Sequence, residues 1–181
     1  SGEEPFYIDE ISNYIANNCL KKENREFNQS VLYGTKDLKV EEIIAEAKQF
    51  PFGSERRVVF VREAQNVLKI EDLESYVDNP QPTTILVICY KGKSLDKRKK
   101  FAKALIKNHV VFESKPIYEN KIPDWINNYI SSKGFSITKK GCMILSESLG
   151  TELSKIVNEI KKLMLLIKEG EEITPELIEQ H

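Results

Sequence analysis

Histidine is scarce in this chain: there are two, His109 within an apolar stretch and His181 at the last position. Neither has a partner at metal-ligand spacing, so no metal site is expected. A Ser-His-Asp or Cys-His arrangement would have to run through His109, which reads more simply as a packed strand residue, so no catalytic residue is assigned. Cysteine is scarce too. Cys19, Cys89 and Cys142 are far apart, odd in number and set in apolar patterns, which predicts reduced, buried thiols in a cytoplasmic protein. No apolar run approaches the roughly 20 residues of a membrane helix, and no signal peptide opens the sequence. An excess of either charge is missing as well. The 27 Lys and Arg against 28 Asp and Glu leave a net charge of −1, so any basic contact surface has to be local.

A working phosphate loop is also absent. Such a loop needs glycines that free backbone N–H groups to surround the phosphates, and a Lys followed by Ser or Thr for charge and Mg²⁺. The turn before the first helical stretch reads Ser1-Gly2-Glu3-Glu4-Pro5-Phe6, with one glycine, no lysine, and a proline that removes a donor. Glu3, Glu4, Asp9 and Glu10 suit the positive end of that helix themselves and would repel a triphosphate. The strand ending at Val61 runs into Arg62-Glu63, where an ATPase would place an acidic pair for Mg²⁺. No cofactor is expected.

What is present is an alternation of helix and strand signals in the first half. Pro5 suits a first helical turn, and Ile8, Ile11, Ile15 and Cys19 form one amphipathic stripe. Phe27 to Tyr33 reads as a strand closed by Gly34. Val40, Ile43, Ile44 and Ala47 mark a second helix that ends near Phe50, because Pro51 disfavours helix before it. Arg57 to Val61 is an apolar, β-branched run typical of a strand buried on both faces. Leu68 to Val77 reads as helix, Thr83 to Tyr90 as a second buried strand, and Ser94 as the cap of a helix carrying Phe101, Ala104 and Leu105. His109 to Glu113 reads as one more strand. Such alternation is the signature of a parallel sheet covered by helices. A domain of that kind normally opens with a strand, so either one precedes Ser1 or the sheet is smaller than the alternation suggests.

The second half changes character. Pro116 to Asn120 reads as a linker, and no strand is expected after it. Pro123 opens a helix with Trp125, Ile126, Tyr129 and Ile130 on one side, ended by Gly134. Thr138 caps a helix that stops at Gly150. Thr151 caps another with Leu153, Ile156, Val157, Ile160, Leu163 and Met164 as its apolar stripe, and Thr174-Pro175 starts a fourth. Helical spacing explains these aromatic and apolar residues as core. The fold class is therefore α/β followed by α.

Several segments resemble bacterial clamp-loader delta subunits of DNA polymerase III. They are Gly2-Glu3-Glu4-Pro5-Phe6-Tyr7-Ile8-Asp9-Glu10, Val31-Leu32-Tyr33-Gly34, Phe50-Pro51-Phe52-Gly53-Ser54-Glu55-Arg56-Arg57, and Val58-Val59-Phe60-Val61-Arg62-Glu63-Ala64-Gln65. Thr83-Thr84-Ile85-Leu86-Val87, Leu95-Asp96-Lys97-Arg98-Lys99-Lys100 and Leu149-Gly150-Thr151-Glu152-Leu153 complete the set, in the family's order. The resemblance implies a RecA-like AAA+ domain over residues 1–117, with its first strand missing, and a helical lid domain over 118–181. The resemblance places the collar domain, which joins subunits in a ring, after His181, so it is expected to be absent here. It implies a subunit that does not use ATP, works within a nucleotidyltransferase holoenzyme, and binds the beta sliding clamp to help open it for loading onto primed DNA. Other loader subunits are implied partners, and a membrane is not.

The family's clamp contact is a short hydrophobic wedge between the second helix and the next strand. Here that wedge is Phe50-Pro51-Phe52, with Phe52 matching the aromatic anchor and Pro51 standing where a leucine is often found. The other local feature is the basic run Lys97-Arg98-Lys99-Lys100, either a solvated helix face or a contact for DNA or for a neighbouring subunit. Two other classes of function stay open from the residues: a nucleotide-dependent enzyme with a disguised phosphate loop, and a nucleic-acid-binding module on a silent AAA+ scaffold.

Overall fold

The side chains of Val58, Val59, Phe60 and Val61 have no exposed surface, and they form the middle of the sheet in the computed structural model, which describes residues 1–168 and 170–181. The central strand β2, Arg57–Arg62, lies between β1, Gln29–Tyr33, and β3, Thr84–Ile88, and all three are parallel. Alternate β2 side chains point to opposite faces. Val58 and Phe60 pack with Ile15 and Ala16 of helix α1, Pro5–Asn18, and with Leu20 just beyond it. Val61 packs on the other face with Val40 and Ile43 of α3, Val40–Ala47, with Leu73, and with Phe101 of α5, Lys100–Asn108. Both faces being covered is why the strand reads as an unbroken apolar run. Two short helices complete this unit: α2, Arg25–Asn28, and α4, Glu74–Val77.

The chain divides into two compact units, Ser1–Lys115 and Pro116–His181. The second consists of α6, Ile122–Ser131; β4, Ser136–Ile137; α7, Lys139–Leu149; α8, Leu153–Met164; β5, Glu172–Ile173; and α9, Pro175–Glu179. Its core is made by Ile122, Ile126 and Ile130 of α6, Leu145 of α7, and Leu153, Ile156, Ile160 and Leu163 of α8. Thr138 caps α7 by accepting from the Gly141 amide, and Thr174 caps α9 by accepting from Leu177, as their sequence positions indicate.

Several local expectations are corrected. Phe27 is the third residue of α2, and β1 begins only at Gln29. Residues 68 to 77 form a 3₁₀ turn, Ile70–Leu73, running into the single turn of α4. Ser94 does not cap α5. The Asp96 carboxylate takes the Arg98 amide and the Asp96 carbonyl takes that of Lys99, and this turn delays the helix to Lys100. Cys19 is exposed at the C-terminal cap of α1, while Cys89 and Cys142 are buried. Glu152, not Thr151, precedes α8. Trp125 and Tyr129 are only half-buried and stack on each other, with ring centroids 5.3 Å apart. β4 and β5 make a two-residue parallel pair, too short to leave a periodicity in the sequence.

The largest departure lies beside β3. Its five residues are half-buried, and residues 109–113 form no strand. Between these segments only Gly2 makes bridges, to Lys91 on one side and to Ser114 on the other. An extended segment becomes a strand only when a neighbour takes its N–H and C=O groups, and no ladder runs between β3 and Val110–Phe112. The space is an apolar cleft of about 530 Å³, lined among others by Ile8, Ile11 and Ile15 of α1, Leu86 and Ile88 of β3, and Phe112. Ile11, expected in the core, faces this cleft and is 39% exposed.

Candidate docking site and phosphate-loop position

The loop after α3 carries two phenylalanines into solvent: Phe50 is 77% exposed and Phe52 is 73% exposed. Burying apolar surface is the main stabilising term in folding, so such rings need a rigid frame to stay outside the core. That frame begins at Asn28, whose side chain is fully buried. Its Oδ1 accepts from the Phe52 amide at 2.7 Å, and its Nδ2 donates to the Phe52 carbonyl at 2.8 Å and to the Asn24 carbonyl at 3.0 Å. Both Nδ2 protons are therefore used. Gly53, at φ 60°, turns the chain away immediately after. The Phe27 ring, 59% exposed, lies 5.7 Å from that of Phe52 at a tilt of 57°.

Beneath the loop sits buried Arg57 at the start of β2. It pairs with Glu46 of α3 and donates to Ser30 Oγ at 2.8 Å and to the Phe27 carbonyl at 3.4 Å. Ser30 Oγ in turn donates to Glu46 Oε1 at 2.6 Å. This network ties α2, β1, α3 and β2 together at the base of the aromatic loop. Tyr76 holds the other end, with its hydroxyl donating to the Ala47 carbonyl at 3.2 Å. Burial pushes the Tyr76 phenol above its ordinary value.

In open parallel α/β sheets, ligands bind outside the carboxyl ends of the strands. Here that position is filled by the chain's own charges. The Lys91 ammonium, 14% exposed, lies 2.8 Å from Asp9 and 2.7 Å from Glu63. Arg62 donates to Asn13 at 2.8 Å, and Gln65 to Glu63 at 2.8 Å. Burial pulls Lys91 down, but its bonds to Asp9 and Glu63 outweigh this and leave it raised. The bond from Lys91 is the main reason Glu63 is lowered, against opposing desolvation. Glu63 itself has a left-handed backbone, φ 53°, unusual for a residue with a Cβ. The strand end beside it is Gly34, where a Cβ would stand 2.2 Å from the Glu63 carbonyl oxygen.

The turn before α1 has its own occupations. Gly2 donates to the Tyr90 carbonyl, Glu3 to the Ser114 carbonyl, and the Glu4 carboxylate accepts the Phe6 amide at 2.9 Å. With Pro5 lacking an N–H, these bonds engage donors that a phosphate would otherwise take. Among the described residues, no group of three His, Cys, Asp or Glu could hold a metal ion.

The basic run is spread along a turn and the start of α5. Lys97 pairs with Glu113 at 2.7 Å, Arg98 with Asp96 at 2.9 Å, and Lys99 with Glu71. Asp96 is pulled down to about 2, chiefly by its hydrogen bond from Arg98. Lys100, the first residue of α5, is exposed and has no acidic partner among the described residues. His109, expected as a packed strand residue, is instead exposed at the C-terminal cap of α5, with Nε2 2.9 Å from the Val77 carbonyl, so that nitrogen donates to it. Sequence reasoning missed Phe27, Asn28, Arg57 and Lys91 as parts of these sites. The only local signal was a polar Asn between an apolar helix end and a strand.

The family model of the DNA polymerase III delta subunit matches residues 1–115. This chain belongs to the DNA polymerase III delta-subunit family. The family's subunit delta from Bacillus subtilis strain 168 is 32% identical over 183 residues, covering 96% of this chain and 52% of the relative. The chain thus spans about half the length of that relative. The solved Bacillus subtilis DNA clamp loader delta protein superposes with a TM-score of 0.73 at 28% identity, covering 99% of this chain and 56% of the other. The fold class expected from the sequence, a parallel-sheet unit followed by a helical one, is the one observed, and it is shared with that solved delta protein.

Proposed function

We propose that this chain is the part of a clamp-loader delta subunit that docks on the beta sliding clamp through Phe50-Pro51-Phe52 and helps open it for loading onto primed DNA. Other loader subunits would supply the ATP hydrolysis. The observation that carries this reading is the exposure of Phe50 and Phe52, 77% and 73%, on a loop whose backbone is held by a fully buried asparagine. Aromatic rings on a preformed loop lose little conformational freedom on docking, and aromatics dominate interface hot spots. Fully burying one Phe stabilises a complex by roughly 1.5–3 kcal/mol.

The Lys91, Asp9 and Glu63 network supports a role without nucleotide chemistry, because an internal cation already balances the carboxylates at the sheet's carboxyl end. The test is a titration of purified beta clamp with this chain in the absence of nucleotide. Phe52→Ala is expected to weaken binding by roughly 2–4 kcal/mol with an unchanged melting temperature. Tight uptake of MgATP, or a Phe52→Ala variant with undiminished affinity, would overturn the reading.

A further inference from the structure

We infer that Phe27 belongs to the same docking surface as Phe52, and that Asn28 is the positioning residue that sets the two rings against each other. The inference rests on the clamp-docking reading above and extends it to a second segment of the chain. Phe27 ends the exposed face of α2 and Phe52 comes from the loop after α3, yet their rings meet at 5.7 Å while 59% and 73% of each residue stays exposed. Two exposed rings in a tilted pair are favourable for each other, and together they form one continuous apolar surface. A partner that covers Phe52 therefore meets Phe27 beside it.

Asn28 explains why the pair has a fixed geometry. It directly follows Phe27, and its amide bonds both the N–H and the C=O of Phe52. One buried side chain thus joins the two ring-bearing backbones across a sequence separation of 24 residues. Asn28 touches no partner itself, because it is fully buried. Its effect on docking has to pass through Phe52 and Phe27. Arg57, which donates to the Phe27 carbonyl, closes the same frame from below.

The test is a set of variants titrated against purified beta clamp, with melting temperatures measured in parallel. Phe27→Ala is expected to weaken binding about tenfold, by a faster off-rate, without loss of stability. Asn28→Ala is expected to weaken binding about tenfold in the wild-type background and to add little in the Phe52→Ala background, since residues acting through one another are not additive. Asn28 is buried, so its result is read together with the Phe27 and Phe52 pair, whose exposed rings can be removed without disturbing the core. Unchanged affinity in Phe27→Ala, with binding still lost in Phe52→Ala, overturns this inference and leaves the clamp reading standing. Full additivity of Asn28→Ala with Phe52→Ala overturns the positioning role. If the wild-type chain does not bind the clamp, or Phe52→Ala binds as well as wild type, the clamp reading falls and this inference with it.

Discussion

Replacing Lys91 by methionine tests whether the carboxyl end of the sheet is held by its internal charges. Methionine keeps the length and volume of the side chain and removes only the ammonium. Lys91 is 14% exposed, whereas Asp9 and Glu63 are each 38% exposed, so the two bonds are partly screened by water. Exposed ion pairs contribute about 0.2–1 kcal/mol each; two short ones on a mostly buried ammonium give about 1 kcal/mol in total. In a urea titration with a slope of about 2 kcal/mol/M, that loss lowers the midpoint by about 0.5 M.

The pH dependence supplies the sharper signature. Glu63 is lowered in the folded state, so its contribution is present above its ordinary value of 4.5 and lost as pH falls through the lower folded value. Lys91 is raised, so its contribution is present below 10.5 and lost as pH rises through the higher folded value. The stability gap between wild type and Lys91→Met should form a plateau between these limits and shrink on both sides. A gap that does not change with pH, or a variant as stable as wild type at neutral pH, would refute the argument that these charges hold the strand ends together.

Three further perturbations probe other parts of the molecule. Gly34→Ala places a Cβ 2.2 Å from the Glu63 carbonyl oxygen, and should cost about 1–3 kcal/mol in urea unfolding as β1 and β2 part at that end. Tyr76→Phe removes a hydroxyl bonded to Ala47 and Gln81 and should cost about 1 kcal/mol by the same measurement. Within the basic run, Lys100 alone lacks an acidic partner among the described residues, so it is the residue on which to test whether the run contacts DNA. Primed-DNA affinity should fall with salt, and Lys100→Ala should flatten the log–log slope by about 0.9; binding that ignores salt between 50 and 200 mM, on the order tested in such titrations, would remove that contact.

How much could be read in advance differs from element to element. The apolar run of β2 announced a strand covered on both faces, and the stripe of α8 announced a buried helix face, because both signals are local and periodic. The false strand at His109 to Glu113 has the same local signal as β2. It fails because strand formation depends on a neighbour, and the sequence of a segment does not contain its neighbour. Phe27 was misplaced for a related reason: an aromatic beside β-branched residues suits a strand, but the turn at Asn24 and the Asn28 bonds to Phe52 hold it in α2.

The sequence by itself determined the class of the molecule, a parallel α/β unit followed by a helical one, and the make-up of the turn before α1, with one glycine, no lysine and a proline. Those depend on residue type and short-range spacing. Only the tertiary structure decided that Asn28 joins two distant aromatic segments, that Lys91 balances Asp9 and Glu63, and that three of four basic residues already have acidic partners. These are contacts between residues 16 to 82 positions apart, apart from the local Arg98–Asp96 pair. A hydrogen bond or ion pair acts over a few ångströms in space, and folding alone brings such groups within that reach.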